Sequence, residues 1–184
     1  MKRLIPFALL LVFPCLGIMS GASSCEPSLT ANLPVPPLAS LEDVPDFPFQ
    51  APEEYAPLVA LAAASAGIPA WILARVISAE SAWDPGAIRK NDDGSRDLGI
   101  AQLSERWLPD FAWFDNAGAH VDPFDPNQAI PVAARYLARL YRASGDWRSA
   151  VAAYNCGLSR VLARAIPERS RAYVKSVFEA EEKF

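Results

Sequence analysis

The stretch AWILARVISAESAW, residues 70–83, directly follows Pro69 and is followed by an Asp-Pro-Gly sequence at residues 84–86. Its apolar residues recur at intervals of three and four, as they do on one face of an α-helix. Proline is favoured at the first position of a helix, and Asp-Pro-Gly is typical of a turn. The stretch therefore predicts a helix over residues 69–83.

Similar spacing, abundant Ala and sparse Val, Ile and Thr predict helices in most of the chain after residue 53. The predicted helices cover residues 55–66, 125–145, 147–156, 158–165 and 170–180. The segment between residues 84 and 124 is rich in loop-forming residues, and we predict only a short helical piece near 99–107. The fold class is all-α, in a single domain over residues 53–184.

The first 24 residues have the features of a secretory signal peptide. Lys2 and Arg3 precede an apolar run over residues 4–19, and small residues lead from there to Cys25. Two prolines interrupt the run, which is too short for a membrane span. We interpret residues 1–24 as a cleaved signal, which predicts export to the periplasm or the cell envelope.

Cys25 stands where bacterial lipoprotein processing requires a cysteine, because its thiol is lipidated after the signal. We therefore predict a lipid anchor at Cys25 as the chain's only attachment to a membrane. The alternative is ordinary signal cleavage, with Cys25 free or paired with Cys156. His120 is the only histidine and there is no Cys-x-x-Cys motif, so neither a metal nor another cofactor is expected.

Residues 25–52 contain seven prolines and neither Lys nor Arg. This composition favours extended polyproline geometry and predicts a semi-rigid tether. Without the signal, the chain has 15 basic and 21 acidic residues, a net charge of −6. An acidic balance argues against a general nucleic-acid binder.

One carboxylate interrupts the apolar face of the helix predicted over residues 69–83. Glu80 lies seven residues after Leu73, four after Val76 and three after Ile77, so it shares their face. Burial raises the pKa of a carboxylic acid, and a general acid must hold its proton near neutral pH. Glu80 is thus a candidate general acid; the alternative is a structural glutamate paired with a buried arginine.

Three further strings follow Glu80-Ser81: NDDGSRDLGIAQL at residues 91–103, AAYNCG at 152–157 and RAYV at 171–174. Their order and spacing resemble the lytic transglycosylase domain of bacterial cell-wall enzymes, and the likeness covers residues 55–178. The first string looks like the branch that includes small secretion- and conjugation-associated transglycosylases. The resemblance implies a goose-type lysozyme-like helical fold, peptidoglycan glycan strands as substrate and a cell-envelope assembly as a candidate partner.

The resemblance also implies a role for each matching residue. Glu80 matches the catalytic acid and base, and Ser81 matches the residue that orients it or the substrate's N-acetyl group. Tyr173 matches a tyrosine whose hydroxyl lies near the catalytic carboxylate. The remaining matches line or border the sugar cleft: Gly99, Gln102, Tyr154 and Asn155.

From the residues alone, other interpretations stay open. Gln102 could be an exposed helix residue, Asn155 a helix-end cap and Tyr173 a core residue. Asp97 is the best candidate for a second carboxylate, which most glycosidases need; because the resembled family requires only one, we interpret Asp97 as a loop-stabilising residue. Two positions depart from the family: Cys156 replaces a typical alanine, and Ser104 an asparagine common in this branch.

The implied reaction uses Glu80 twice. Its proton goes to the oxygen between N-acetylmuramic acid and N-acetylglucosamine, and its carboxylate then takes the proton of the muramoyl C6 hydroxyl, which closes a 1,6-anhydro ring. One alternative is a lysozyme-like hydrolase on the same scaffold. Another is a non-catalytic lipoprotein that binds glycan.

Charge is distributed unevenly along the domain. Residues 53–134 contain 5 basic and 12 acidic residues, whereas residues 135–175 contain 9 basic and 2 acidic residues. The basic residues are mostly arginine, which suits the carboxylates of peptidoglycan stems. The alternative is a solvated face that pairs with the acidic half.

Overall fold

The computed structural model describes residues 50–108 and 121–179. The predicted signal peptide, Cys25, nearly all of the predicted tether and His120 lie outside the described residues. Within those two ranges, we find no helix with the length and apolar character needed to cross a membrane.

Helices form the body of the described structure. In chain order they are α1 (Ala56–Ala66), α2 (Ala70–Ser81), α3 (Pro126–Ser144), α4 (Trp147–Cys156), α5 (Leu158–Leu162) and α6 (Glu168–Phe178). α3 packs against α1 and α4, and α6 packs against α2 and α4. The shared core is aliphatic and fully buried, with Ile72 and Ile77 of α2 and Leu137 of α3 among its largest side chains. The predicted all-α class is confirmed.

Capping residues explain why α3 and α4 begin and end where the sequence predicts. The Asp125 carboxylate accepts a hydrogen bond from the backbone N–H of Asn127, and the Asp146 carboxylate accepts one from Ser149. Gly145 ends α3 in the left-handed conformation that glycine tolerates best. Pro131 lies inside α3, near its start, and the helix continues through it.

α2 ends earlier than predicted, at Ser81 rather than at Trp83. Ala82 and Trp83 both adopt positive φ values, 52° and 70°, which turn the chain out of the helix. Two successive left-handed residues with side chains are unfavourable, so the surrounding structure must hold them. The ring of Trp83 stacks on that of Tyr55, with centroids 5.9 Å apart.

The loop-rich segment contains a small antiparallel sheet that the sequence did not predict. Its strands are β1 (Ile88–Lys90), β2 (Arg96–Leu98) and β3 (Leu103–Ser104), in the order β1-β2-β3. The short helical piece predicted over residues 99–107 is wrong. Residues 99–102 form a turn instead, in which Gly99 and Gln102 have φ values of 72° and 47°, and β3 follows it.

Candidate active site

A cleft of about 950 Å³ separates the sheet from the helices. The β1–β2 hairpin and the segment after Gln102 form one wall, and α5 and α6 with the end of α4 form the other. Glu80, at the end of α2, lies on its floor. The fold therefore places the predicted acid between two walls that a linear polymer could occupy.

Glu80 is almost completely removed from water. Its side chain is only 3% exposed. Burial raises the pKa of this carboxyl to about 7, against the opposing effects of its hydrogen bond with Tyr173 and the charge of Arg89. Near neutral pH, Glu80 can thus hold a proton and release it.

Two side chains contact the two carboxyl oxygens of Glu80. The Tyr173 hydroxyl, from α6, donates to Oε1 at 2.8 Å. Arg89 Nη2, from β1, lies 3.5 Å from Oε2 and 3.0 Å from Asp97 Oδ2 on β2. The arginine thus pairs more closely with Asp97 than with Glu80, and its side chain is 50% exposed. The alternative of a glutamate neutralised by a buried arginine does not fit this geometry.

Two of the cleft tyrosines, Tyr154 and Tyr173, stay protonated over the physiological range. Burial and the charge of Glu80 raise the pKa of Tyr173 and of Tyr154 well above the ordinary value. Tyr154 donates its hydroxyl to the carbonyl of Ala101 at 2.8 Å, and its ring lies 5.5 Å from that of Tyr136. Tyr173 is therefore a hydrogen-bond donor to Glu80. Tyr154 joins α4 to the turn before β3 through its hydrogen bond to Ala101.

Ser81 does not contact the Glu80 carboxylate by any hydrogen bond in the structure. Its hydroxyl donates to the carbonyl of Ile100 at 2.7 Å, which joins the end of α2 to the turn over residues 99–102. Ser81 is also absent from the cleft lining. Through this bond, Ser81 holds the end of the helix that carries Glu80.

Gln102 is buried in the turn and lines the cleft, so its interpretation as an exposed helix residue is wrong. Its amide nitrogen donates to the carbonyl of Gly99 at 2.9 Å and to that of Ala87 at 3.2 Å. These bonds join the turn to the segment before β1. Gln102 therefore stabilises the loop that forms the sheet wall.

Gly99 matches a family position at the cleft, yet it does not line the cleft here. A Cβ atom at this position would lie 1.6 Å from the carbonyl oxygen of Pro123. The absence of a side chain thus permits close contact with the segment that leads into α3. Both this packing between two loops and the positive φ of residue 99 favour glycine at this position.

Asn155 lines the cleft from the end of α4. Its Oδ1 accepts a hydrogen bond from the hydroxyl of Ser170, at 2.7 Å, and Ser170 is fully buried in α6. Asn155 thus joins α4 to α6 and is more than a cap of its own helix. The thiol of Cys156 is buried beside it and forms no disulfide with a described residue.

The structure brings five of the predicted site residues to one cleft: Glu80, Gln102, Tyr154, Asn155 and Tyr173. Sequence reasoning missed Arg89, which contacts the acid directly. Its signal was present, because an Asp-Gly turn between two short strands places residues 89 and 97 opposite each other. Across the described ranges, no group of three His, Cys, Asp or Glu residues could hold a metal ion.

The cleft walls differ in charge. Arg160 and Arg169 line the helical wall, whereas the sheet wall carries both signs: Asp92, Asp93 and Asp97 together with Arg89, Lys90 and Arg106. The sheet wall is partly neutralised, since Arg106 pairs with Asp93 at 2.9 Å and Arg89 pairs with Asp97. The cleft is therefore basic on its helical wall and balanced in formal charge on its sheet wall.

Comparison with known proteins gives a family match and two structural likenesses. Residues 57–175 match the family model described as the transglycosylase SLT domain. The 70 kDa soluble lytic transglycosylase SLT70 from Escherichia coli is 24% identical, with a TM-score of 0.58 over 67% of this chain and 22% of that one. An inactive mutant of the lytic transglycosylase Slt from Pseudomonas aeruginosa is 20% identical, with a TM-score of 0.57 over 68% of this chain and 23% of that one. No curated protein sequence gives a significant match.

Proposed function

Because the chain belongs to the transglycosylase SLT domain family, we propose that it is a peptidoglycan lytic transglycosylase. In this proposal it cleaves the β-1,4 bond between N-acetylmuramic acid and N-acetylglucosamine and leaves a 1,6-anhydromuramoyl end. The observation that carries the proposal is the carboxyl group of Glu80, buried on the cleft floor with a pKa raised to about 7. The chain spans under a quarter of the length of the two solved structures described above.

In the first step, Glu80 acts as a general acid. Its proton passes to the glycosidic oxygen as the bond from that oxygen to the muramoyl C1 breaks. The sugar's own 2-acetamido group stabilises the positive charge that develops at C1. The hydroxyl of Tyr173, 2.8 Å from Oε1, stabilises the carboxylate that Glu80 becomes.

In the second step, the same carboxylate acts as a general base. It removes the proton of the muramoyl C6 hydroxyl while that oxygen bonds to C1, so Glu80 regains its proton and no water is consumed. A single carboxyl group can perform both steps because its pKa lies near neutral pH. Asp97 stands beside Arg89 and is not needed as a nucleophile.

The other predicted residues support this chemistry from the two walls. We assign Ser81 and Gln102 to holding the α2 end and the sheet wall in place, through their bonds to backbone carbonyls. Tyr154 and Asn155 lie at the cleft surface, where a sugar ring can contact them. Arg160 and Arg169 on the helical wall suit the carboxylates of peptide stems.

Product identification tests the reaction class. We expect the protein to release muropeptides from purified sacculi whose muramoyl ends are 1,6-anhydro, lighter by one water than hydrolysed ends and resistant to borohydride reduction. Mass spectrometry of the digest, with a lysozyme digest of the same sacculi as control, measures both properties. Reducible ends would indicate the hydrolase instead, and an undigested sacculus would indicate a glycan-binding lipoprotein.

We also propose that the domain is exported and anchored in the cell envelope through a lipid at Cys25. Residues 26–52 would then reach ~80 Å from the membrane at ~3.1 Å per residue in polyproline geometry. That reach would allow an anchored enzyme to meet the cell wall.

Metabolic labelling tests the anchor. Cells that express the chain are expected to incorporate a labelled fatty acid into it, and Cys25→Ala is expected to lose the label and leave the membrane fraction. Cys156→Ala is the matched control, because that thiol is buried in α4 and should not affect lipidation. A labelled Cys25→Ala protein, or an unlabelled wild-type one, would contradict the anchor.

A further inference from the structure

Arg89 lies between two carboxyl groups, one on each side of its guanidinium. β1 and β2 pair in antiparallel register with Arg89 directly opposite Asp97. The same nitrogen, Nη2, is 3.0 Å from Asp97 Oδ2 and 3.5 Å from Glu80 Oε2. The side chains of Asp97 and Glu80 are 13% and 3% exposed, whereas that of Arg89 is 50% exposed, so the two carboxyl groups are shielded from water while the guanidinium is partly hydrated.

We propose that Asp97 is a positioning residue that holds the Arg89 guanidinium on the sheet and prevents it from closing onto Glu80 as a salt bridge. A close arginine would stabilise the Glu80 carboxylate, so the acid would lose its proton before substrate arrives. Held by Asp97, Arg89 remains near enough to stabilise the carboxylate formed during the reaction. The catalytic meaning of this arrangement depends on the function proposed above.

Four side chains face Glu80 from the elements packed around it. Tyr173 of α6 and Tyr154 of α4 are neutral, whereas Arg89 of β1 and Asp97 of β2 are charged. Burial and the charge of Asp97 raise the pKa of Glu80, and Tyr173 and Arg89 lower it. Removing Asp97 and removing Arg89 should therefore change the titration of Glu80 in opposite directions.

The test compares Asp97→Asn, Arg89→Gln and the double variant. Arg96→Gln is the matched control, because Arg96 also forms a salt bridge in the sheet, with Glu105 at 2.8 Å, and is 49% exposed, yet it does not line the cleft. Titration of the Glu80 carboxyl carbon is followed by NMR in the full chain, with Glu80→Gln used to assign the resonance. The pH profile of sacculus digestion is recorded for the same proteins.

We expect Asp97→Asn to shift the Glu80 titration and the alkaline limb of activity down by about one pH unit, which is about a fivefold loss at pH 7. Arg89→Gln should shift both upward. Because Asp97 acts through Arg89, Asp97→Asn should cause a smaller downward shift in the Arg89→Gln background than in the wild type, and equal shifts in the two backgrounds would contradict the positioning role. Arg96→Gln should match the wild type. Shifts in the same direction, or no shift beyond that of Arg96→Gln, would overturn the proposal.

The NMR titration needs no turnover, so it separates this inference from the proposed function. If the wild type does not digest sacculi, the proposed reaction is wrong. Opposite titration shifts would still support the role of Asp97. If Asp97→Asn does not fold, Asp97→Ser replaces it in the same comparison, because serine also removes the charge that pairs with Arg89. A Glu80 titration in Asp97→Ser that matches that of Arg96→Gln would overturn the proposal.

Discussion

Glu80→Gln is expected to reduce the release of muropeptides from sacculi at least ~100-fold, because positioned general acid–base groups contribute about 10²–10⁴-fold to a rate. Glutamine has nearly the same shape as glutamate and can still accept the hydrogen bond from Tyr173. It has no proton to give to the glycosidic oxygen and no carboxylate to accept one. Both steps assigned to Glu80 would therefore fail, and digestion measured against wild type reports the loss.

Glu80→Gln should also change the pH dependence of the free energy of unfolding, and the same unfolding measurement shows whether the variant is folded. The pKa of Glu80 is raised from 4.5 to about 7, so its stability contribution is fully present below pH 4.5 and is lost as the pH rises through 7. The total is about 3 kcal/mol. Glutamine does not titrate, so the variant should gain stability relative to wild type between these pH values, as urea unfolding would measure.

Glu168→Gln is the matched control for Glu80→Gln. It makes the same chemical change at a carboxylate that is 86% exposed, at the start of α6 and outside the cleft lining. We expect it to retain wild-type digestion and to lack the pH-dependent gain in stability. Normal digestion by Glu80→Gln would rule out Glu80 as the acid, whatever the stability curves show.

The helices could be predicted because their signals are local. Apolar spacing of three and four, Asp125 and Asp146 as caps and Gly145 as a stop all act within a few residues. The family was predicted from the order of four short strings and is confirmed by the match over residues 57–175. The sheet was missed because strands of two or three residues are too short to show an alternating pattern, and the sheet depends on pairing between segments.

The site could be predicted only in part, for the same reason. The place of Glu80 follows from helical periodicity, which is a property of one segment. The bond from Ser170 to Asn155 and the contact of Arg89 with Glu80 depend on how separate elements meet. Periodicity carries no information about such partners. The sequence could therefore identify the acid but not the residues that set its protonation state.

Gly99 shows the same dependence on tertiary contact, and its replacement is expected to destabilise the fold strongly. Gly99 has a φ of 72°, and an added Cβ would lie 1.6 Å from the carbonyl oxygen of Pro123, which is backbone and cannot rotate away. We expect Gly99→Ala to lower the free energy of unfolding by about 3–5 kcal/mol, from left-handed strain and overpacking together. Urea denaturation at constant pH measures the change.

Gly94→Ala separates the two causes. Gly94, in the β1–β2 hairpin, has a φ of 82°, yet an added Cβ would meet nothing within 4 Å. It should therefore lose only the ~1–2 kcal/mol of left-handed strain. Equal losses in the two variants would contradict a packing role for Gly99. We expect the larger loss in Gly99→Ala, together with reduced digestion by the protein that remains folded. The reduced digestion would follow from the neighbours of Gly99. Its carbonyl accepts a hydrogen bond from Gln102, and the carbonyl of Ile100 accepts one from Ser81, at the end of the helix that carries Glu80.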